Sequence, residues 1–204
     1  MVMAKTKNER ARIAHNRRYD RSELAIYKTV LKLLKKQRGR ITMRQIAKET
    51  GLSRQTLYNH HPNVNQAITE SEDAFLEEFA AELDTQVEKL SNIMPDANGR
   101  VFYAVFIFMA RRSDIFCPIC ADINNQWLLY RIVEVAFPRL QIDWLPKNIP
   151  APAVGSERVD IFIRMMVEVI ARWGAATRCD IRKANRYVNR LLRITEDAER
   201  NRLP

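Results

Sequence analysis

The chain lacks most of what a membrane protein, a disulfide scaffold or an enzyme needs. No stretch reaches the roughly 18 apolar residues that span a bilayer. The most apolar run, VFYAVFIFMA from Val101 to Ala110, is too short, ends on Arg111-Arg112, and reads as a buried core helix. The first residues hold no apolar h-region and no small-residue cleavage site, so a secretory signal is not expected. The expectation is a soluble, cytoplasmic protein without a membrane partner. Three cysteines, Cys117, Cys120 and Cys179, are too few for a disulfide framework and suit a reducing compartment. Cys117-Pro-Ile-Cys120 is a C-x-x-C, but no strand–helix alternation surrounds it as a redox motif would require. As a zinc site it lacks two ligands, because His15, His60 and His61 lie far away in sequence. Two small residues near the start of a buried helix is the plain reading; a thiol-redox or metal-sensing role stays open as an alternative. No Ser/His/Asp set, phosphate loop or paired carboxylates argue for catalysis. Neither a catalytic residue, a cofactor nor a resident metal is expected. Strand alternation, internal repeats and low-complexity segments are also missing, which leaves an all-α fold.

Acidic residues are scarce in one place. Residues 1–60 hold sixteen Lys or Arg against four Asp or Glu, a net +12, whereas residues 61–204 hold eighteen against twenty, a net −2; together these give the chain's +10. Such a concentration of positive charge is the footprint of a phosphate-binding surface. Residues 1–19 carry Lys5, Lys7, Arg10, Arg12, Arg17 and Arg18. They read as a flexible basic arm that follows a DNA backbone or minor groove, or equally as an inert tail.

The charged region contains the most specific pattern in the chain, ITMRQIAKETGLSRQTLYNHHPNVNQAI from Ile41 to Ile68. Thr42-Met43-Arg44-Gln45 is a capping box, so a helix should begin at Met43. Met43, Ile46 and Ala47 share one face of it. Gly51 supplies the left-handed residue that ends a helix, and Leu52 anchors the turn. Ser53 caps a second helix in which only Leu57 is strongly apolar. Pro62 closes it, because the residue before a proline avoids helical angles. A small residue where the helices cross (Ala47), a glycine four residues later and an apolar residue six after that together specify a helix-turn-helix. In that arrangement a polar helix enters the major groove of DNA.

These residues resemble the TetR/AcrR family of transcriptional regulators, whose signature runs approximately IA-x-x-x-G-[VL]-S-x-x-T-[LI]-Y-x-H-F-x-x-K-x-x-L. Ile46, Ala47, Gly51, Leu52, Ser53, Thr56, Leu57, Tyr58, His60 and Ile68 match it. His61 stands where the family usually has a phenylalanine that packs under the turn between the third and fourth helices. Val64 stands where a lysine usually grips a phosphate, implying one fewer backbone contact or its replacement by Asn63 or Asn65. The motif covers the first third of the chain; beyond it only the helical layout is similar. The resemblance implies base-edge reading by Arg54, Gln55 and Tyr58, with Arg54 pairing bidentately with guanine and Gln55 with adenine. It implies phosphate contacts from Thr42, Arg44, Thr56, Asn59 and His60.

The helix-turn-helix domain is expected over residues 20–62. A second capping box, Asp20-Arg21-Ser22-Glu23, opens a supporting helix to about Arg38. Leu24, Tyr27, Val30, Leu31 and Leu34 lie on one face, and Gly39 ends it. Residues 63–204 form the second domain. There Asn63 caps a long helix to about Leu90, and Pro95 to Gly99 marks a turn. Helices follow near 99–112, 114–122 and 124–137, then a proline-punctuated loop to Gly155. The last two helices run from Ser156 to about Ala176 and from Asp180 to about Glu199. In the family, aromatic residues of this domain line an effector pocket. Phe102, Phe106, Met109, Phe116, Trp127, Tyr130, Phe162 and Met166 are the candidates, although each could be plain core. The last two helices carry wide apolar stripes, Ile161, Met165, Val169 and Trp173, then Val188, Leu191 and Leu192. These are assigned to a homodimer interface.

The function expected is a sequence-specific, double-stranded-DNA-binding repressor. It would be homodimeric and released from a near-palindromic operator by an unknown small apolar or aromatic effector. One alternative keeps the DNA binding and lets the helical domain dock a protein partner; the other is a thiol-redox or metal sensor through Cys117 and Cys120.

Overall fold

The computed structural model describes residues 7–35, 41–122, 126–141 and 157–200. Among them are nine α-helices, two short 3-10 turns and no strand, so the fold is all-α, as the sequence predicts. None of the helices among the described residues is long and apolar enough to cross a membrane. The chain divides into two compact units, residues 1–73 and 74–204. The division falls inside a helix, eleven residues after the boundary at 62/63 that the motif suggests.

The first unit contains α1 (Lys7–Leu34), α2 (Met43–Thr50), α3 (Arg54–His60) and the start of α4 (Val64–Leu90). Helix α1 begins at Lys7, not at the Asp20 capping box, and takes in most of the stretch read as a basic arm. A capping box works only where the preceding residues leave the helix, and the Ala- and Arg-rich segment before Asp20 favours continuing it. The Gly39 stop lies outside the described residues. Ile26, Val30 and Leu34 are buried along one face of α1, while Leu24 is half exposed at the edge of that arc. They share a core with Ile41, Ile46, Leu57, Ala67 and Ile68. Asn63 caps α4, its Oδ1 accepting from the Gln66 N–H at 2.9 Å.

The second unit contains the rest of α4 with α5 (Ala97–Arg111), α6 (Ser113–Ala121), α7 (Trp127–Ala136), α8 (Glu157–Thr177) and α9 (Ala184–Arg200). The expected turn ends two residues early, because Asp96 caps α5 through the Gly99 N–H. Residues 123–125 and 142–156, which hold the expected start of α7 and most of the proline loop, lie outside the described residues. Phe75 and Phe79 of α4 meet Phe108 at centroid distances of 5.5 and 4.9 Å, and Phe116 stands 6.0 Å from both Phe75 and Phe108. The Arg112 guanidinium covers this cluster, 5.7 Å from the Phe75 ring, and pairs with Glu78. Arg139 grips Asp84 of α4 bidentately at 2.5 and 2.9 Å. That pairing holds the Asp84 carboxyl below its ordinary range and raises the guanidinium.

Most of the two apolar stripes expected at a dimer surface lies in the chain's own core. Val169, Trp173, Val188 and Leu191 are all buried, Trp173 completely, and Leu192 is half-buried. Helix α8 is apolar on more than one side because α6, α7 and α9 of the same chain all pack on it. Of the assigned interface, Ile161 and Met165 alone face outward, 50% and 39% exposed.

Candidate nucleic-acid interface

Local hydrogen bonds set α2 and α3 in place. The Thr42 N–H donates to Gln45 Oε1 at 2.8 Å and the Gln45 N–H returns to Thr42 Oγ1 at 3.3 Å, the reciprocal pattern of a capping box. Gly51 adopts φ 71° and its N–H donates to the Ala47 carbonyl at 2.9 Å. Nothing lies within 4 Å of where a Cβ would stand, so the glycine is there for its backbone angle and not for space. The Thr50 hydroxyl donates to the Ile46 carbonyl at 2.7 Å and accepts from the Leu52 N–H at 3.3 Å, which tightens the turn. Ser53 then caps α3, accepting from the Thr56 N–H at 3.0 Å.

Leu57 is the buried residue of α3, and it seats the helix on the unit's core. Arg54, Gln55, Tyr58 and Asn59 are all exposed, Arg54 sharing a face with Tyr58 and Gln55 with Asn59 four residues on. Gln55 Nε2 donates to Asn59 Oδ1 at 3.0 Å. A groove of ≈ 470 Å³ runs between the start of α2, α3 and the start of α4; Thr42, Arg44, Arg54, Tyr58 and Val64 line it. Arg44 and Arg54 make no ion pair among the described residues. Two guanidiniums beside a hydroxyl and a phenol form a surface suited to a phosphate backbone and a base edge. Thr56 is half-buried, with its hydroxyl 2.9 Å from that of Ser53. Asn63 is occupied as the α4 cap, which leaves Asn65 exposed near the place where the family motif has a lysine one residue earlier.

His60 is not at the interface. Its side chain is 2% exposed, with Nδ1 2.6 Å from Glu23 and Nε2 2.6 Å from the Ser22 hydroxyl. His61 is equally buried, with Nδ1 2.7 Å from Glu70 and Nε2 3.3 Å from Glu23. A hydrogen bond from the Gln66 amide, then the His61 ring, hold the Glu70 carboxyl below its ordinary range. Ser22 and Glu23 therefore do not cap α1; they tie it to the end of α3. The signal was available: a histidine in a phenylalanine's place needs a buried polar partner, and Glu23 shares the face of α1 that carries Ile26 and Val30.

The expected effector residues Phe102, Phe106, Met109, Phe116, Phe162 and Met166 are buried, and Trp127 and Tyr130 are half-buried. Several pack on neighbouring rings: Phe106 lies 4.5 Å from Trp173, and Phe162 lies 6.0 Å from Phe137. The cysteine reading gains a third member. Cys179 interacts with both Cys117 and Cys120, beyond the reach of a C-x-x-C pattern. Arg178 and Cys179 take φ 53° and 56° to make the turn after α8, and Gly174 leaves the room, since a Cβ there would stand 2.3 Å from Cys120 Sγ. All three thiols are free. Burial, then contact with Cys179, pushes the Cys117 thiol up to about 11, and contact with Cys120 and burial raise Cys179 further. Raised thiols such as Cys117 and Cys179 are poorer nucleophiles than an ordinary cysteine.

Residues 27–60 match a family model described as an HTH domain. The chain thus carries a helix-turn-helix DNA-binding domain, and the domain points to a transcription regulator. Among curated proteins and solved structures, none matches the chain significantly.

Proposed function

We propose that the chain is a TetR-type transcriptional regulator that binds a near-palindromic operator as a homodimer and lets go of it when a small molecule occupies the helical unit. The observation that carries the reading is the outward face of α3, where Arg54, Gln55 and Tyr58 stand exposed over the buried Leu57. The run IAKETGLSRQTLYNHH supports the family. Arg54 reads a guanine and Gln55 an adenine, Tyr58 lies against a base edge, and Thr42, Arg44 and Asn59 fix the register on phosphates.

Homodimerisation falls to the outer face of α8, where Ile161 and Met165 are four residues apart. Repression ends only if an apolar or aromatic effector binds the DNA-incompetent state more tightly than the competent one. The aromatic interior around Phe106 and Phe162 is the part of the chain suited to such a compound.

Selection of bound sequences from a random double-stranded pool tests the reading. The expected product is a two-fold-symmetric site with half-sites one helical turn apart or a multiple of it. Sedimentation of an Ile161→Glu, Met165→Glu variant should show a monomer. A pool that emerges without enrichment sinks the DNA reading; a half-site without symmetry sinks the dimer alone.

A further inference from the structure

The two histidines at the end of α3 leave one nitrogen without a hydrogen bond. Glu70 is a carboxylate and accepts only, so the 2.7 Å contact at His61 Nδ1 puts the ring proton there. His61 Nε2 is then the ring's other nitrogen. It is buried and makes no hydrogen bond, although Glu23 Oε1 stands 3.3 Å away. A proton on Nε2 would be a buried donor facing a carboxylate without bonding to it. A bare lone pair would face a second acceptor. Neither state gives Nε2 a bonded partner, whereas a cation seated between the two atoms would satisfy both.

The geometry points to a divalent metal ion at this position, held by His61 Nε2 and the Glu23 carboxylate, with Glu70 orienting the ring or supplying a further oxygen. Ligand atoms of Glu23, His61 and Glu70 all lie within 4.8 Å of one another. In a tetrahedral zinc site, bonds of about 2.0–2.2 Å place two ligand atoms about 3.4 Å apart, close to the 3.3 Å found here. A histidine that gives its other N–H to a carboxylate is the usual arrangement of a metal-bound imidazole. Glu70 does this for His61, and His60 Nδ1 does the equivalent for Glu23 by holding its second oxygen at 2.6 Å. Ser22 in turn steadies His60. One imidazole with carboxylate oxygens suits zinc, cobalt or nickel, and suits magnesium or calcium poorly. Glu23 is 40% exposed, which gives the ion a path in and leaves water to complete its shell. The site joins α1, the end of α3 and α4 within the first unit, so the ion would act as a brace for the helix-turn-helix. This inference does not depend on the DNA reading.

The full chain, stripped with a chelator, should take up one equivalent of zinc(II) at this site by calorimetry, and the metal should raise its thermal midpoint. Cobalt(II) bound there should show no sulfur charge-transfer band, which separates the site from the three cysteines. Glu23→Gln, at a half-exposed position, should weaken binding about tenfold or more with helicity unchanged. His61→Phe, which restores the apolar side chain usual at this turn, should abolish it. No uptake by the unmodified chain overturns the proposal. So does uptake that Glu23→Gln and His61→Phe both leave intact, or a cobalt spectrum that comes from thiolates alone.

Discussion

Residues 1–73 and 74–204 fill their interiors with different chemistry. In the first unit the described core is aliphatic: Ile26, Val30, Leu34, Ile46 and Leu57 are buried, and caps and a histidine–carboxylate network do much of the positioning. The second unit buries Phe75, Phe79, Phe102, Phe106, Phe108, Phe116, Phe162 and Trp173. A small aliphatic core can hold a helix outward only if hydrogen bonds fix its ends. A large aromatic core fixes its helices by area and shape. The glycines show the same contrast: Gly51 serves a backbone angle, whereas Gly174 serves a neighbour's sulfur.

Large-to-small substitutions are the strongest way to break this comparison. Phe106→Ala, which strips the ring tilted against Trp173, should cost about 3–5 kcal/mol, and Leu57→Ala about 2–5 kcal/mol, read from denaturant unfolding. Leu57→Ala should also abolish DNA binding. If it kept full binding, α3 would not depend on its buried side for its outward pose.

At the interface, Arg54→Ala should weaken operator binding by about 1–3 kcal/mol and relax one base position. Arg44→Ala should instead weaken all sequences alike and reduce the salt slope by about one. Competition binding at several salt concentrations separates the two.

The glycines sharpen the contrast further. Gly174→Ala should cost about 1–3 kcal/mol by overpacking, and Cys120→Ala should partly relieve it by removing the sulfur 2.3 Å away. Gly51→Ala should cost about 1–2 kcal/mol from the left-handed backbone alone, and no neighbouring substitution should rescue it. Unfolding of the double variant is the decisive measurement.

The smallest effect should come from Asp84→Asn. The pair with Arg139 is bidentate, but the carboxylate is mostly exposed, so the loss should stay under about 1 kcal/mol and shrink in salt. Asp84 titrates lower in the folded chain than its ordinary value, so its contribution is present above that value and is lost as pH falls through the depressed one. Acid titration of the variant against the parent measures it.

The legible part of the chain was the part built from local signals. Thr42, Gly51, Ser53 and Asn63 cap or end helices through atoms a few residues away, so their spacing in sequence is enough. Asp20 to Glu23 has the same local form, yet it sits inside a running helix, and only the distant His60 and His61 show what Ser22 and Glu23 bond to. Family matching set His60 on a phosphate because the motif records its place and not its neighbours. Apolar periodicity marked α8 and α9 correctly as sided, but it cannot say whether the neighbour is α6 or a second copy. Cys179 joins Cys120 through a turn with two left-handed residues that no pattern in the sequence marks.

The bond between Gln55 and Asn59 has a consequence for how a sequence is chosen. Because Asn59 Oδ1 already accepts from Gln55 Nε2, the amide of Gln55 is held before any duplex arrives. Freezing a long side chain costs about 0.5–1.5 kcal/mol when it happens on association; here much of that ordering is completed during folding. On the proposed reading, Asn59→Ala should free the Gln55 amide and blur a preference for adenine at its base, on top of the loss of one phosphate contact.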